Sequence, residues 1–518
     1  MKSIFIMAFG IGLFIAFTGN SQVVSYPFVG KTFSTSTGFG TARMLGMGGS
    51  FNALGADITS ISGNPAGLGF YNRNELSISG SLGFSDIGSN YIGNQTSTTD
   101  NDVNFTGLGL VLTGEENAQG DWKGSFGFAY SKQLMFKQSF SSIGINNASS
   151  MLDYFIQQAN KKGETGTSLD DQYDSNSNTA LSPEAVSYQS YLINPDAKSG
   201  GVPFNRFEAS LPTRQEGYAS MNGYQSQWDI SYGASYQQKF YIGGGIHFTR
   251  INSTLSNSWR ETFVGAKYVD GFTYSENLET SGKGLSVSLG MIYKVNSSIR
   301  VALNFQTPTY YEQVNEQLTG GMVTRAISIP SYSNGSPVNI TKVSPVSLAT
   351  NEFTYQLTTP MRIGGGLAYF LGRKGFISLD LEMVDYSNIK IGSQELSYSA
   401  NQQFKNKYNS IASKYFQTDL NVKFGAEYRV ASNFSLRAGI AQFGGGYQKS
   451  YDSIDRNIWQ FSGGFGYRSN DFYWDIAYLY RTYKDAFTPY SLDNTANYAS
   501  SQLQITNSQI SLTGGVFF

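Results

Sequence analysis

Apolar and polar residues alternate with a period of two over most of the chain beyond residue 74. In the first such stretch, Leu76, Ile78 and Leu82 alternate with Ser77 and Ser81. This period places apolar side chains on one face of a β-strand and polar side chains on the other. Fourteen segments with this pattern are predicted as strands: 75–84, 103–113, 122–136, 228–237, 239–251, 284–295, 299–310, 353–371, 374–388, 421–429, 433–443, 457–468, 471–483 and 505–518.

The connections between these segments alternate in length. Six are short, at 114–121, 238, 296–298, 372–373, 431–432 and 469–470. Seven are longer, at 85–102, 137–227, 252–283, 311–352, 389–420, 444–456 and 484–504. This rule is typical of an up-and-down transmembrane barrel with tight periplasmic turns and long outer loops. We therefore predict an all-β fold, a fourteen-stranded antiparallel barrel with both termini in the periplasm.

Two of the long connections show a helical period instead. Apolar residues fall on one helical face at 148–162, with Met151 and Phe155, and at 402–416, with Phe404 and Tyr408. These spacings predict amphipathic helices across the barrel mouth. They serve either to pack the loops together or to form an apolar landing site for a ligand.

Composition supports a membrane barrel of exported origin. Charged residues are 14% of the chain, against about 25% in soluble proteins, while Tyr and Phe number 35 and 37. Residues 1–21 have a basic start, an apolar stretch and small residues at a cleavage position, which predicts a secretory signal. The chain has no cysteine, which excludes thiol catalysis and cysteine-bound metals, and its net charge of −1 gives no indication of nucleic acid.

Residues 22–73 do not alternate and are rich in small residues. They contain Ala-Arg-Met-Leu-Gly-Met-Gly-Gly-Ser-Phe at 42–51, then Asp57, and Asn-Pro-Ala-Gly-Leu at 64–68. A phosphate-binding loop is excluded because no strand precedes the glycines and no Lys-Ser or Lys-Thr follows them. This density of small residues favours a compact segment packed tightly inside something else.

These two motifs resemble the N-terminal hatch of the long-chain fatty acid and aromatic hydrocarbon transporters of the outer membrane. The wall segments at 299–308, 360–386 and 424–439 are similar to that family as well, although 443–446 lacks its Thr-Pro-Val and the 137–227 loop is long. The resemblance implies a hatch at 22–73 and a barrel at 74–518. It also implies that a ligand is captured by outer loops, waits in a lumen pocket, and leaves sideways through a gap near the third strand when the hatch moves. The residues that the resemblance assigns to the hatch and gate are Gly46, Gly48, Gly49, Asn64, Pro65, Ala66, Gly67 and Leu68.

The polar face of the strands predicts a lumen lined with charge of both signs. The residues concerned are Arg300, Arg362, Asp380, Glu382, Lys423, Glu427, Arg429, Arg437 and Asp475. Buried charges need partners, so a structural lattice of ion pairs is the simpler interpretation. The functional interpretation is that Arg362, Arg437 or Lys423 binds an anionic headgroup.

His247 is the only histidine and lies on a polar strand face, so we expect a structural role for it. No catalytic residue, metal or cofactor is predicted.

The sequence therefore favours a monomeric channel, surrounded by outer-membrane lipids, for hydrophobic small molecules such as long-chain fatty acids. A second hypothesis is a non-transporting relative that acts as a partner of a protein secretion machine. An outer-membrane lipase or protease is disfavoured because no catalytic motif is present. An energy-coupled receptor is disfavoured because such barrels need about 22 strands.

Overall fold

A computed structural model of the protein describes residues 25–115, 121–209, 211–333 and 336–518. The predicted signal at 1–21 and most of the 114–121 turn lie outside these ranges. Within them, no helix combines the length and the apolar character needed to cross a membrane.

The described residues form a closed antiparallel barrel of fourteen wall strands, as predicted. Each strand pairs with its neighbours along the chain, and the first and last strands also pair, with Glu75 opposite Phe517. Closure gives every wall strand two neighbours. The strands are β1 (Glu75–Tyr91), β2 (Asn94–Thr113), β3 (Trp122–Asn146), β4 (Thr213–Tyr236), β5 (Phe240–Phe263), β6 (Val269–Lys294), β7 (Ile299–Gln306 and Tyr310–Ala326), β8 (Val346–Thr358 and Arg362–Phe370), β9 (Gly375–Asp385), β10 (Thr418–Arg429), β11 (Phe434–Phe443), β12 (Ile458–Arg468), β13 (Phe472–Phe487) and β14 (Ser501–Phe517).

The alternating pattern separates a lipid face from a lumen face. On β1, Leu76 and Ile78 are exposed on the outside, whereas Ser77, Ser79 and Ser81 are buried. The same arrangement recurs around the wall, so the exterior carries many exposed large apolar side chains. A continuous apolar exterior of this kind is stable only in a lipid bilayer.

The predicted lengths of the outer connections were wrong in four places. Strands β1 to β8 continue far beyond the predicted segments, so that 85–102, 252–283 and 311–352 are largely strand and the long loop predicted at 137–227 is confined to 147–212. β1 and β2 meet at a two-residue turn, Ile92-Gly93, and β5 and β6 are joined by 264–268. The outward face of these strand ends carries exposed polar residues such as Asp86, Asn90 and Arg260, whereas apolar residues such as Tyr91 and Trp259 are buried on the inner face. A pattern that requires an apolar outward face therefore misses them. The short connections occur where they were predicted, apart from small shifts of their ends.

Prolines interrupt two neighbouring strands at the same height. β7 is broken at Pro308 and β8 at Pro360, because proline cannot donate to the ladder. Threonine hydroxyls replace part of the lost bonding: the Val287 amide donates to Thr307 Oγ1 at 2.9 Å, and the Thr309 amide donates to Thr359 Oγ1 at 2.9 Å.

Four α-helices lie in the described parts of the long connections, and two of them confirm the helical predictions at 148–162 and 402–416. They are α4 (Met151–Lys162), α5 (Gly166–Asp170), α6 (Pro183–Gln189) and α7 (Tyr398–Tyr415). α4 begins with a capping box formed by Ser150 and Asp153. Short paired strands (Tyr173–Asp174 with Thr179–Ala180, Ile193–Asn194 with Asn205–Arg206, Ile329–Ser333 with Ser336–Ile340) complete these loops. An extended apolar cluster packs the 147–212 loop onto the upper strands.

Candidate functional site

The N-terminal segment, residues 25–73, contacts inward-facing residues on opposite sides of the barrel. It contains α1 (Ser25–Thr32), α2 (Ala42–Leu45), α3 (Thr59–Ser62) and a 3-10 helix at Pro65–Phe70. The Gly48 amide donates to Ser462 Oγ on β12 at 2.9 Å. Arg300 on β7 donates to the Leu54 carbonyl at 2.7 Å. The segment therefore lies across the lumen and is bonded to several strands.

The glycines of the first motif allow α2 and its following turn to lie directly against the wall. Gly48 and Gly49 have positive φ values of 69° and 78°, a backbone conformation that glycine adopts without cost. A Cβ at Gly48 would lie 3.0 Å from the Phe424 carbonyl oxygen, and a Cβ at Gly46 would lie 3.3 Å from the Gly464 Cα. Larger residues here would push the segment off the wall.

The charged lumen residues form ion pairs with each other and with the N-terminal segment. Arg437 bonds to Glu427 at 2.7 Å and to Asp475 at 2.6 Å. Arg43 bonds to the same Glu427 at 3.0 Å. Burial acts to lower the pKa of Arg43, but Glu427 and Asp57 outweigh it and hold the pKa above its ordinary value. This arrangement is the structural lattice predicted from the sequence.

A second carboxylate binds backbone of the N-terminal segment. Asp380 on β9 accepts from the amides of Phe51 and Asn52 at 2.8 and 2.9 Å. Beside it, Lys423 lies 3.9 Å from Glu382. These carboxylates therefore have protein partners, which gives no support to acid–base chemistry.

A cavity of about 270 Å³ lies between the N-terminal segment and the upper wall. Most of its lining is apolar and comes from both sides. The lining includes Phe28, Val29, Phe33, Phe39, Leu134, Met135, Phe136, Met221, Leu255, Leu278, Ile458 and Ile505, with the cations Lys31, Lys132, Arg456, Arg481 and Lys484 and the anion Asp485. A mostly apolar cavity with a few charged groups suits an amphiphilic ligand.

Of the five cations in this lining, only Arg456 forms an ion pair in the described part of the chain. Lys31 donates only to Thr35 Oγ1, at 3.2 Å, and its ammonium lies 4.2 Å from the centre of the Tyr386 ring. Arg481 donates from Nε to Gln460 Oε1 at 2.7 Å. Burial lowers the pKa of Lys31 to about 8, although Asp419 and Asp485 act in the opposite direction. A buried cation without a counterion is costly, so this end of the cavity favours an anion.

The three predicted headgroup residues lie elsewhere. Arg437 and Lys423 belong to the ion-pair lattice. Arg362 lines a smaller, polar cavity of about 40 Å³ and donates to the Ser34 carbonyl at 2.9 Å. Their role in binding stays a prediction. Sequence alternation marked most of the buried lumen charges correctly, but Arg429 is exposed at the end of β10 and does not join the lattice. Alternation also gave no way to select Lys31 from a segment without periodicity, nor to tell paired from unpaired cations.

α1 packs against α7, the helix of the 389–420 connection. Tyr26 on α1 contacts Tyr408 and Phe404 on α7, at ring-centre distances of 5.0 and 5.5 Å, and Tyr355 on β8 at 4.7 Å. The apolar face of α7 is therefore covered by another part of this chain. This contact favours the loop-packing interpretation of the helix.

The wall opens between β2 and β3 beside the cavity. Their backbone ladder covers only Gly107–Thr113 and Ser125–Ser131. Above it, β2 has a bulge at Thr106 and β3 has one at Gln133, and the residues beyond these bulges pair only with β1 and β4. Side chains bridge the opening: Lys132 donates to Asn104 at 3.0 Å, and Ser139 to Asp100 at 2.7 Å.

His247 is buried, as expected for a structural histidine. Its ring nitrogens lie 2.6 Å from Asp229 Oδ1 and 2.7 Å from Ser288 Oγ. The order of groups is that of a hydrolytic triad, but Ser288 is 2% exposed and lies beneath the N-terminal segment. The partners come from three different strands, and sequence spacing could not reveal them.

The fold and the internal segment together define a class: fourteen-stranded barrels with a folded N-terminal segment inside the lumen. Two solved outer-membrane proteins share this fold. A FadL homologue from Pseudomonas aeruginosa aligns with a TM-score of 0.53 and 9% identity, covering 93% of this chain and 99% of that one. The toluene transporter TodX from P. putida aligns with a TM-score of 0.51 and 12% identity, with the same coverages. A scan of protein-family models finds no match, and neither does a search of curated proteins. The predicted resemblance is thus confirmed at the level of the fold.

Proposed function

We propose that the protein is an outer-membrane channel for the passive uptake of hydrophobic small molecules, with long-chain fatty acids as the substrate class. The observation that carries the proposal is the 270 Å³ cavity, apolar along most of its wall and with unpaired Lys31 and Arg481 in its lining. Moving an acyl chain into such a cavity gains about 0.8 kcal/mol per CH₂. A carboxylate headgroup would also supply the missing counterion.

A neutral hydrocarbon fits this site less well. It would fill the apolar part of the cavity and leave both cations without a partner, so the cost of burying them would remain. The Arg43–Glu427 and Asp380 contacts support a hatch role for the N-terminal segment, because they hold it across the path from the cavity to the periplasm. The β2–β3 opening beside the cavity supports release into the bilayer, which spares the acyl chain contact with water.

Equilibrium binding of radiolabelled oleate and of methyl oleate to the purified barrel tests the substrate class. We expect oleate to bind the wild type more tightly than the ester does. Arg481→Gln should weaken oleate binding by about tenfold, the loss of one charge-assisted hydrogen bond, and leave the ester unaffected. Arg429→Gln, at an exposed position of β10, is the matched control.

Native mass spectrometry with lipid extraction tests the channel itself. Fatty acids that co-purify with the full-length barrel, and are lost when residues 64–68 are deleted, would support hatch-gated transport. Equal affinity for oleate and its ester would exclude the carboxylate as the recognised group. A ligand-free barrel that co-purifies with a stoichiometric protein would favour the secretion-machine hypothesis instead.

A further inference from the structure

Hydrogen bonds between the side chains of Asp229, His247 and Ser288 join three adjacent wall strands. His247 on β5 is bonded to Asp229 on β4 at 2.6 Å and to Ser288 on β6 at 2.7 Å. His247 has no exposed surface, and Asp229 and Ser288 are each 2% exposed. A Cβ at Gly245 would lie 2.3 Å from Ser231 Oγ and 3.3 Å from His247 Cε1. The space around the imidazole is therefore closely filled.

These three hydrogen-bonded residues are also connected to the N-terminal segment, through Asp229. Ser62 Oγ, at the end of α3, donates to Asp229 Oδ2 at 2.5 Å. Ser231, next on the lumen face of β4, donates to the Ile61 carbonyl at 2.7 Å. Gln227 supplies a further donor to Asp229 at 2.5 Å. Asp229 therefore connects the histidine to the residues directly before 64–68.

The same three strands also supply the surface on which 64–68 rests. Each has a lumen-facing glycine where a side chain would collide with the segment. A Cβ at Gly233 would lie 2.1 Å from the Pro65 carbonyl oxygen, and one at Gly290 would lie 1.9 Å from Asn64 Oδ1. Removing Ser62 from Asp229 and lifting Pro65 from these glycines are thus parts of one movement.

We propose that His247 is a positioning residue for the hatch, and that it controls how readily residues 61–68 leave the wall by fixing the Asp229 carboxylate that binds Ser62. This rests on the proposed function, in which the segment moves to release ligand. The hydrogen-bond network assigns the roles. The Asp229 carboxylate can only accept, so Nδ1 carries the proton of that bond, and the bond between Nε2 and the Ser288 hydroxyl holds the ring in this orientation. Without the imidazole, the buried carboxylate loses a donor and its orientation.

Hydrogen exchange of the full-length, ligand-free barrel in lipid nanodiscs tests this role. The amides of Gly63 and Gly67 are bonded within the segment, to the Thr59 and Asn64 carbonyls, so they report its opening. We expect His247→Gln and Ser62→Ala each to accelerate exchange at 58–68 by about tenfold. The double variant should exchange no faster than Ser62→Ala alone, because both residues act through Asp229.

Two comparisons separate this role from general damage to the fold. Ser79→Ala removes another buried lumen serine, on β1, and should leave exchange at 58–68 unchanged. Ser288→Ala is a milder variant in case His247→Gln does not fold, and it should raise exchange only at 58–68.

Since the chain has one histidine, its Nδ1 proton gives a single low-field NMR signal, which Asp229→Asn should remove and Ser62→Ala should keep. Unchanged exchange in His247→Gln, additive effects in the double variant, or acceleration spread over 42–54 as well would overturn the proposal. Because no ligand is present, it can fail while oleate binding stands.

Discussion

Arg43 of the N-terminal segment and Glu427 of β10 form an ion pair with 3.0 Å between Nε and Oε2. Glu427 also binds Arg437 of β11, at 2.7 Å. One carboxylate thus pairs with one guanidinium of the wall and one of the segment inside it, and Asp475 supplies a second negative charge to Arg437. The ion-pair lattice therefore holds the N-terminal segment against the wall and also provides partners for the charged residues of the wall.

Replacing Glu427 should destabilise the barrel strongly. Glu427→Gln leaves two buried guanidiniums without their shared partner, and breaking a buried pair in this way costs about 3–5 kcal/mol. Urea unfolding in lipid vesicles, followed by tryptophan fluorescence, measures this loss. Arg429→Gln, two residues along the same strand but exposed, should change the free energy of unfolding by less than about 0.5 kcal/mol. Similar losses in both variants would mean that the lattice is not a stabilising feature.

Lys31 should make ligand binding depend on pH. Its pKa is lowered from 10.5 to about 8 by burial, so the ammonium that would bind a carboxylate is lost as the pH rises through about 8. Oleate affinity should therefore fall by about tenfold between pH 7 and pH 9.5, the contribution of one ionic hydrogen bond. The fall should be absent in Lys31→Met and present in Lys414→Met, an exposed lysine of α7. The same decline in Lys31→Met would assign the effect to another group.

The lowered pKa of Lys31 also sets the direction in which the stability of the protein changes with pH. Between about pH 8 and 10.5 the folded protein holds fewer protons at Lys31 than the unfolded chain does. The free energy of unfolding should therefore rise with pH across this window. Lys31→Met should lack that rise.

Tyr408 should hold α1 in the outer mouth. Its ring lies 5.0 Å from that of Tyr26, edge to face, and its side chain is 1% exposed. Tyr408→Ala should cost about 3 kcal/mol locally and speed amide exchange across α1. Tyr398→Ala removes the same side chain from the same helix where it is 82% exposed, and it should have no such effect. If exchange in α1 were equal in the two variants, α7 would not be what retains α1.

The sequence predicted those features that repeat along a strand. Alternation identified every wall strand, and the lumen face of His247 and Glu427, because one side chain in two must meet lipid. It failed where lipid no longer imposes that rule: β1 continues to Tyr91 and β2 begins at Asn94, outside the apolar region. The sequence pattern also could not predict contacts between segments that are far apart along the chain. Nothing in the spacing of Ser62, Asp229 and Ser288 indicates that one imidazole connects them.

The β2–β3 opening gives a direct test of sideways release. Asp100 and Ser139 face each other across it, with 2.7 Å between Oδ2 and Oγ. The chain has no cysteine, so Asp100→Cys with Ser139→Cys introduces a single pair of thiols across the opening, and complete loss of free thiol on oxidation would show that the disulfide has formed. Cross-linking should hold β2 against β3 and reduce fatty acid uptake by cells several-fold, with recovery on reduction, while oleate binding to the purified barrel stays unchanged. Each single cysteine variant should transport normally under both conditions. Unaltered uptake by the fully cross-linked barrel would exclude release between β2 and β3 and favour release past the N-terminal segment to the periplasm.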